Sequence, residues 1–129
     1  MSQYGIESFS VRTTLAAYLI VALDTAGSQY TGGAVKLPSG AQDRLIGVTK
    51  GTVKDTTNSI DVAVCGIAKV AFNDTVSAGG LVTSDSAGLG VLYADVTAGG
   101  FYIGRALQTV SATGTIADVL IQPGWKIIT

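Results

Sequence analysis

Short apolar runs alternate with turn sequences along most of this chain. Turn-forming residues recur about every ten positions, the spacing typical of an all-β sandwich or barrel, in DTAGS (24–28), LPSGAQD (37–43), KDTTNS (54–59), NDTVSAGG (73–80), SDSAGLG (84–90), TAGG (97–100), SATG (111–114) and PG (123–124). Glycine, proline, aspartate, asparagine and serine each favour tight turns. The pattern predicts an all-β fold, a compact β-sandwich or small β-barrel with short Gly-rich turns.

The runs between these turns have the length of strands and are rich in β-branched residues, which favour extended chain. They are YLIVAL, GAVKL, LIGVTKG, SIDVAV, GIAKVAF, GLVTS, GVLYA, FYIGRAL and ADVLIQ. A helix over Thr13 to Leu23 is the alternative for the first run. Alternation places Asp61 and Lys69 outward. We expect the core to contain Ile60, Val62, Val64, Ile67, Val70, Leu81, Val91, Ile103, Val119 and Ile121.

The two ends of the chain lack this rhythm. Residues 1–14 have no turn pattern and few core-forming side chains, so we predict an extended N-terminal arm before a single β domain at 15–129. A first strand of the domain itself is the alternative. An arm of this kind can add as an extra strand to another protein's sheet edge, and its candidate binding residues are Gln3, Tyr4, Ile6, Phe9 and Val11. Trp125, near the C-terminus, is a possible interface residue.

The chain carries little charge for its size. Only 13% of its 129 residues are charged, against about 25% in average soluble proteins. We therefore expect part of its surface to be covered by copies of itself or by a large partner. Its eight basic and nine acidic residues are scattered, which predicts no nucleic-acid partner because such proteins concentrate positive charge.

Catalytic and metal-binding patterns are missing from the sequence. There is no histidine to activate a nucleophile, and Cys65, set among apolar residues in VAVCGIA, is expected to be buried. Asp55 and Asp61 lack the spacing of a calcium loop. We predict no enzyme activity, no catalytic residues, no metal and no cofactor.

Three further features have ordinary structural interpretations. The glycosylation-type pattern at Asn73 is expected to be a turn. Tyr93, Phe101 and Tyr102 could stack on a sugar or base, but aromatic residues in β-runs more often pack in a core or interface. The apolar run from Leu15 to Leu23 is far shorter than the roughly 20 residues a membrane-spanning helix needs, so no membrane partner is expected.

Residues 64–124 contain four short motifs: a G-[IV]-A-x-V strand at 66–70, an A-G-x-[LV]-V-x-S-D turn at 78–85, an I-G-x-A-L strand at 103–107 and a V-x-[LI] strand at 119–121. In these motifs the segment resembles the capsid decoration (cement) proteins of tailed bacteriophages. The order and spacing of the motifs, rather than any one of them, carry the resemblance. The first 63 residues match less clearly.

This resemblance implies a structural virion protein. Proteins of that family sit as trimers at threefold and quasi-threefold positions of the icosahedral head and stabilise the shell. The expected partners are the major capsid protein and two further copies of this chain, on the outer capsid surface and, during assembly, in the host cytoplasm. The alternative is a carbohydrate- or receptor-binding module of a phage head or tail fibre, because β-sandwiches also serve there.

Overall fold

A computed structural model of the chain describes residues 6–11, 15–23, 34–38, 44–50, 59–93 and 100–126. Over these ranges the chain forms strands and no α-helix, which confirms the all-β prediction. The strands are β1 (Ile6–Val11), β2 (Ile20–Leu23), β3 (Ala34–Lys36), β4 (Leu45–Thr49), β5 (Ser59–Ala63), β6 (Gly66–Ala71), β7 (Leu81–Ser84), β8 (Gly90–Leu92), β9 (Gly100–Ala106) and β10 (Ile116–Lys126).

The first five strands close into a small barrel. Their order around it is β1-β3-β2-β4-β5, and β5 pairs with β1 to complete the circle. The β1–β3 pair is parallel, whereas the other pairs are antiparallel. Closure leaves no edge strand in the barrel.

The other five strands form a second sheet in the order β6-β10-β9-β7-β8. All its strand pairs are antiparallel. A bridge between Phe72, just after β6, and Gly90 on β8 brings the two outermost strands together at one point. The sheet is therefore strongly curled. The fold combines a small barrel, as one prediction had it, with a second sheet packed against it as in a sandwich.

Strands β2 and β4 form the wall between the barrel and the second sheet, and this wall is apolar on both faces. All five barrel strands contribute to one cluster, which includes Val21, Val35 and Val62. On the opposite faces of β2 and β4, residues such as Ile20 and Val48 join a larger cluster with the second sheet. Because both faces are buried, these strands appear in the sequence as continuous apolar runs rather than as alternating ones.

The N-terminal segment is part of the barrel. Strand β1 pairs with β5 along Ile6–Ser10, and Val11 pairs with Val35 on β3. The predicted arm is therefore wrong over Ile6–Val11, and the alternative of a first strand holds there. The physical reason is that β1 completes the barrel, because it pairs with both β3 and β5.

Most of the predicted core is correct, with one clear exception. Ile60, Val62, Val70, Ile103, Val119 and Ile121 are buried, and Val64, Leu81 and Val91 are half-buried. Ile67 is 62% exposed. It lies two residues from the outward-facing Lys69, and strand periodicity puts both on the same side, so the buried face of β6 consists of Ala68 and Val70.

Two local expectations also differ from the structure. Cys65 is exposed, because it lies in the two-residue link between β5 and β6, where the chain leaves the barrel for the second sheet. Pro123 and Gly124 do not form a turn but continue β10 through a register shift against β9. A bulge of this kind bends a strand without ending it.

A turn at residues 16–19 ties the barrel to the second sheet. The buried hydroxyl of Thr49, on β4, donates to the carbonyl of Ala16 (2.7 Å) and accepts from the amide of Leu19 (3.0 Å). The carbonyl of Tyr18 accepts from the amide of Ala71 on β6 (3.0 Å). Hydrogen bonds from Thr49 of the barrel and from Ala71 of the second sheet therefore both end on this turn.

A second link joins β2 to the turn between β7 and β8. The amide of Ile20 donates to the carbonyl of Gly88 (2.8 Å). Gly88 has φ of +81°, and a Cβ there would lie 2.9 Å from the carbonyl oxygen of Ile20 and 3.0 Å from Cδ2 of Leu37. Only glycine satisfies both the conformation and the close approach.

Replacing Gly88 by alanine should lower the free energy of unfolding by about 2–4 kcal/mol, because left-handed strain and overpacking add. Gly114→Ala is the matched control: its φ is +84°, but nothing lies within 4 Å of the new Cβ, so strain alone, about 1–2 kcal/mol, applies. Urea unfolding of both variants measures the difference. Equal decreases in the free energy of unfolding for the two variants would show that Gly88 does not pack closely against Ile20 of β2.

Replacing Thr49 by valine should cost about 1–3 kcal/mol, because the change keeps the shape but leaves the Ala16 carbonyl and the Leu19 amide without their partner. Thr83→Val is the control, since that buried hydroxyl makes a single bond, to the carbonyl of Phe101 (2.7 Å). Thermal and urea unfolding compare the two. A smaller loss for Thr49→Val than for Thr83→Val would contradict a central role for the turn.

Candidate interaction surface

The acidic side chains near the β7–β8 turn stabilise the loops in which they lie. Asp85 accepts from the amides of Ala87 (2.9 Å) and Leu89 (3.0 Å) and from the side chain of Asn73 (3.1 Å). Asp74 accepts from two backbone amides in the same way. Within the described ranges no group of three or more His, Cys, Asp or Glu residues is arranged to hold a metal. The turn interpretation of Asn73 agrees with its position in a bend.

The three aromatic residues considered as stacking platforms have structural contacts. Tyr93 is buried, its hydroxyl donates to the carbonyl of Gly100 (2.9 Å), and its ring meets Tyr102 edge to face at 6.0 Å. Phe101 is half-buried, with the guanidinium of Arg44 5.9 Å from its ring centre. These rings are used in packing, as the structural interpretation predicted.

One face of the second sheet is turned away from the core. On β6 and β10 the buried residues alternate with exposed or half-buried ones. Residues opposite one another in the register share a face, so Ile67 lies beside Leu120, and Leu120 beside Arg105 on β9. We call this surface the outer sheet face: Ile67, Lys69, Arg105, Leu107, Ile116, Asp118 and Leu120.

The outer sheet face is unusually apolar for a solvent-facing surface. Ile67 is 62% exposed, Ile116 47% and Leu107 45%. These are large aliphatic side chains, and they are grouped on one face rather than scattered. Grouped apolar exposure of this kind marks interaction surfaces.

An ion pair crosses the same face. The ammonium of Lys69 on β6 lies 3.3 Å from a carboxylate oxygen of Asp118 on β10. Both side chains are solvent-exposed, so the pair contributes little to stability, about 0–1 kcal/mol. Its structural effect is to direct the lysine side chain inward over the sheet, towards β10.

A groove of about 350 Å³ runs along β6. The barrel side of this groove is formed by the end of β4 and by Tyr18, and the sheet side by residues 67–69. Tyr18 has φ of +66°, a conformation that bulky side chains rarely adopt. Its two backbone bonds, to Thr49 and Ala71 (3.0 Å each), hold it there.

A second surface depression lies between residues 75–77 and 109–111. The amides and carbonyls of Val76 and Val110 bond reciprocally (3.0 and 2.7 Å). Their exposed neighbours all carry hydroxyls: Thr75, Ser77, Thr109 and Ser111. Together with Gly80 and Leu92 they line a depression of about 440 Å³, whose exposed surface is more apolar than polar.

The structure describes only some of the predicted binding residues, and those on β1 belong to the barrel rather than to a free arm. Gln3 and Tyr4 lie outside the described residues. Ile6, Phe9 and Val11 belong to β1, and Phe9 packs against the barrel cluster, so it is not a free contact residue. Trp125 lies opposite Phe101 in the β9–β10 pair, and its side chain is outside the described part.

The outer sheet face was missed as a site, although the sequence contains a signal for it. If Lys69 points outward, then Ile67 must too, by strand periodicity. The register that brings β6 beside β10 and β9 is not visible in the sequence.

Within the described ranges no helix has the length and apolarity needed to cross a membrane.

Comparisons with known proteins identify the fold of this chain but no family. No protein-family model matches it, and no curated protein sequence does. A solved structure with a similar fold is that of the head fiber gp8.5 N base in bacteriophage phi29, with a TM-score of 0.65 at 13% sequence identity. The match covers 91% of this chain and 92% of the other. The two proteins therefore share one fold over nearly their whole lengths.

Proposed function

We propose that this chain is a structural protein of a bacteriophage virion, associated with the head. The observation that carries the proposal is the near-complete fold match with a phage head fiber base. A shared fold alone does not assign a function. Here the fold match agrees with the resemblance of residues 64–124 to phage decoration proteins. That segment contains β6 to β9 and most of β10, so it coincides with the second sheet.

The finer proposal is that the chain binds the outside of the icosahedral capsid and stabilises the shell. The major capsid protein would be its partner, and a homotrimer at threefold and quasi-threefold positions its assembly. The outer sheet face supports this role because it offers exposed aliphatic side chains on rigid strands. We propose no enzymatic role, cofactor, nucleic acid or membrane.

The alternative function is recognition of a carbohydrate or receptor. The depression between residues 75–77 and 109–111 favours it, because four of its lining residues are serine or threonine, whose hydroxyls both donate and accept hydrogen bonds. Sugar hydroxyls need partners of that kind. We rank this second because the depression has no aromatic side chain among its lining residues.

The chain should bind to empty expanded heads of the phage that encodes it. Co-sedimentation of the purified protein with such heads is the measurement, and decorated heads should also resist heating better than bare ones. Binding to host glycans on an array, with no binding to heads, would favour the alternative and overturn the capsid proposal.

Ile67→Asp tests the outer sheet face in the same assay. Because Ile67 is exposed, the change should alter the free energy of unfolding by less than about 1 kcal/mol but weaken head binding at least tenfold. Val82→Asp, at a fully buried position on β7, is the contrasting control and should unfold the protein. Full head binding by Ile67→Asp would exclude this face.

The chain should form a trimer, because its low charge calls for a covered surface and the decoration proteins that residues 64–124 resemble assemble around threefold axes. Light scattering should give about three times the 13.1 kDa chain mass. A monomer at micromolar concentration would contradict a trimer in solution and restrict trimer formation to the capsid surface.

A further inference from the structure

We propose that strand β6 receives an extended segment of a shell protein as an added β-strand, in the groove beside Tyr18 and Lys50. This inference rests on the proposed function and names the contact through which the head would be bound. It also reverses the roles of strand donor and strand acceptor that the sequence predicted. The chain would accept a strand from the shell rather than donate its own N-terminal segment, of which Ile6–Val11 is already paired in the barrel.

The backbone of β6 supports strand addition. Within the described ranges β6 pairs laterally with β10 alone, and the Phe72–Gly90 bridge lies beyond its end. The amide of Ala71 points away from β10 and donates to Tyr18. Amides two residues apart point the same way along a strand, so the Lys69 and Ile67 amides face the same side. The Tyr18 carbonyl thus accepts the first outward amide of this edge, and an incoming strand would accept hydrogen bonds from the amides of Lys69 and Ile67.

Sheet edges are usually protected from such pairing by charged side chains. Lys69 is placed to serve as that protection, but its ammonium is drawn across the sheet to Asp118 at 3.3 Å. The edge it would guard therefore stays accessible from the groove. Ile67, beside it, is 62% exposed and offers an apolar contact to a side chain on the added strand.

The charges around the groove indicate the chemistry of the incoming segment. Its charged lining residues are Lys50, Lys69 and Asp118. Lys69 and Asp118 neutralise each other, which leaves the exposed Lys50 as the uncompensated charge. We infer an extended segment with an apolar residue against Ile67 and Tyr18 and an acidic residue near Lys50, the pattern by which strand addition gains specificity.

Lys69→Pro and Lys69→Ala form the matched pair that tests this inference. Both remove the ion pair with Asp118, but only proline removes the outward amide and fills the edge with its ring. The ladder to β10 is kept, since the Lys69 amide does not face β10. In co-sedimentation with empty expanded heads, Lys69→Pro should bind at least tenfold more weakly than Lys69→Ala, because both variants lose the ion pair and only proline blocks the edge.

Hydrogen exchange on the unmodified chain gives a second measurement that does not depend on how the proline variant folds. The Lys69 amide should exchange rapidly in the free protein and at least tenfold more slowly on heads. The Val70 amide, which faces β10 opposite Ala117, is the internal control and should be protected in both states. Lys50→Glu should weaken head binding by a similar factor, through charge repulsion.

The possible failures are distinguishable. If wild-type protein does not bind heads, the proposed function fails and this inference fails with it. If Lys69→Pro binds heads as tightly as Lys69→Ala, or the Lys69 amide gains no protection on heads, only strand addition at β6 is overturned. Protection of that amide in the free protein, rising with protein concentration, would show a second copy of the chain at the edge and would also overturn it.

Discussion

The structure depends on one constraint, the burial of both faces of the barrel strands that border the second sheet. Val21 points into one apolar cluster while its neighbours Ile20 and Ala22 point into the other. Each fully buried side chain of this size contributes about 1.5–3 kcal/mol, so the shared wall stabilises both units together. The same wall fixes where the two units meet, and the Thr49 and Gly88 contacts complete that junction with hydrogen bonds.

Because one face of the second sheet is used against the barrel, its other face is left to solvent. That face carries aliphatic side chains on a rigid frame, crossed by one weak ion pair. A chain with 13% charged residues has few charged side chains with which to cover it. Low charge and an exposed apolar face both support the adhesive role proposed above. The contact of β6 with the turn at Tyr18 then singles out one edge of that face.

The sequence predicted most of the strands because their signals are local. Turn residues and β-branched runs each act within a few positions, and every predicted run has a counterpart among β2 to β10. Strand β1 was not assigned because its pairing partners lie far along the chain, at residues 34–35 and 59–63. Cys65 was placed inside for a related reason, since apolar neighbours in sequence do not show that a residue lies at a corner between two units.

The sequence by itself determined the fold class and the positions of β2 to β10, because composition and short-range periodicity encode them. Tertiary structure decided which faces are covered. Ile67 and Val70 have similar side chains on one strand, yet one is 62% exposed and the other fully buried. That difference comes from the barrel packed on one side of β6. The candidate site likewise exists only through strand register, which brings Lys69 to Asp118 across 49 residues of chain.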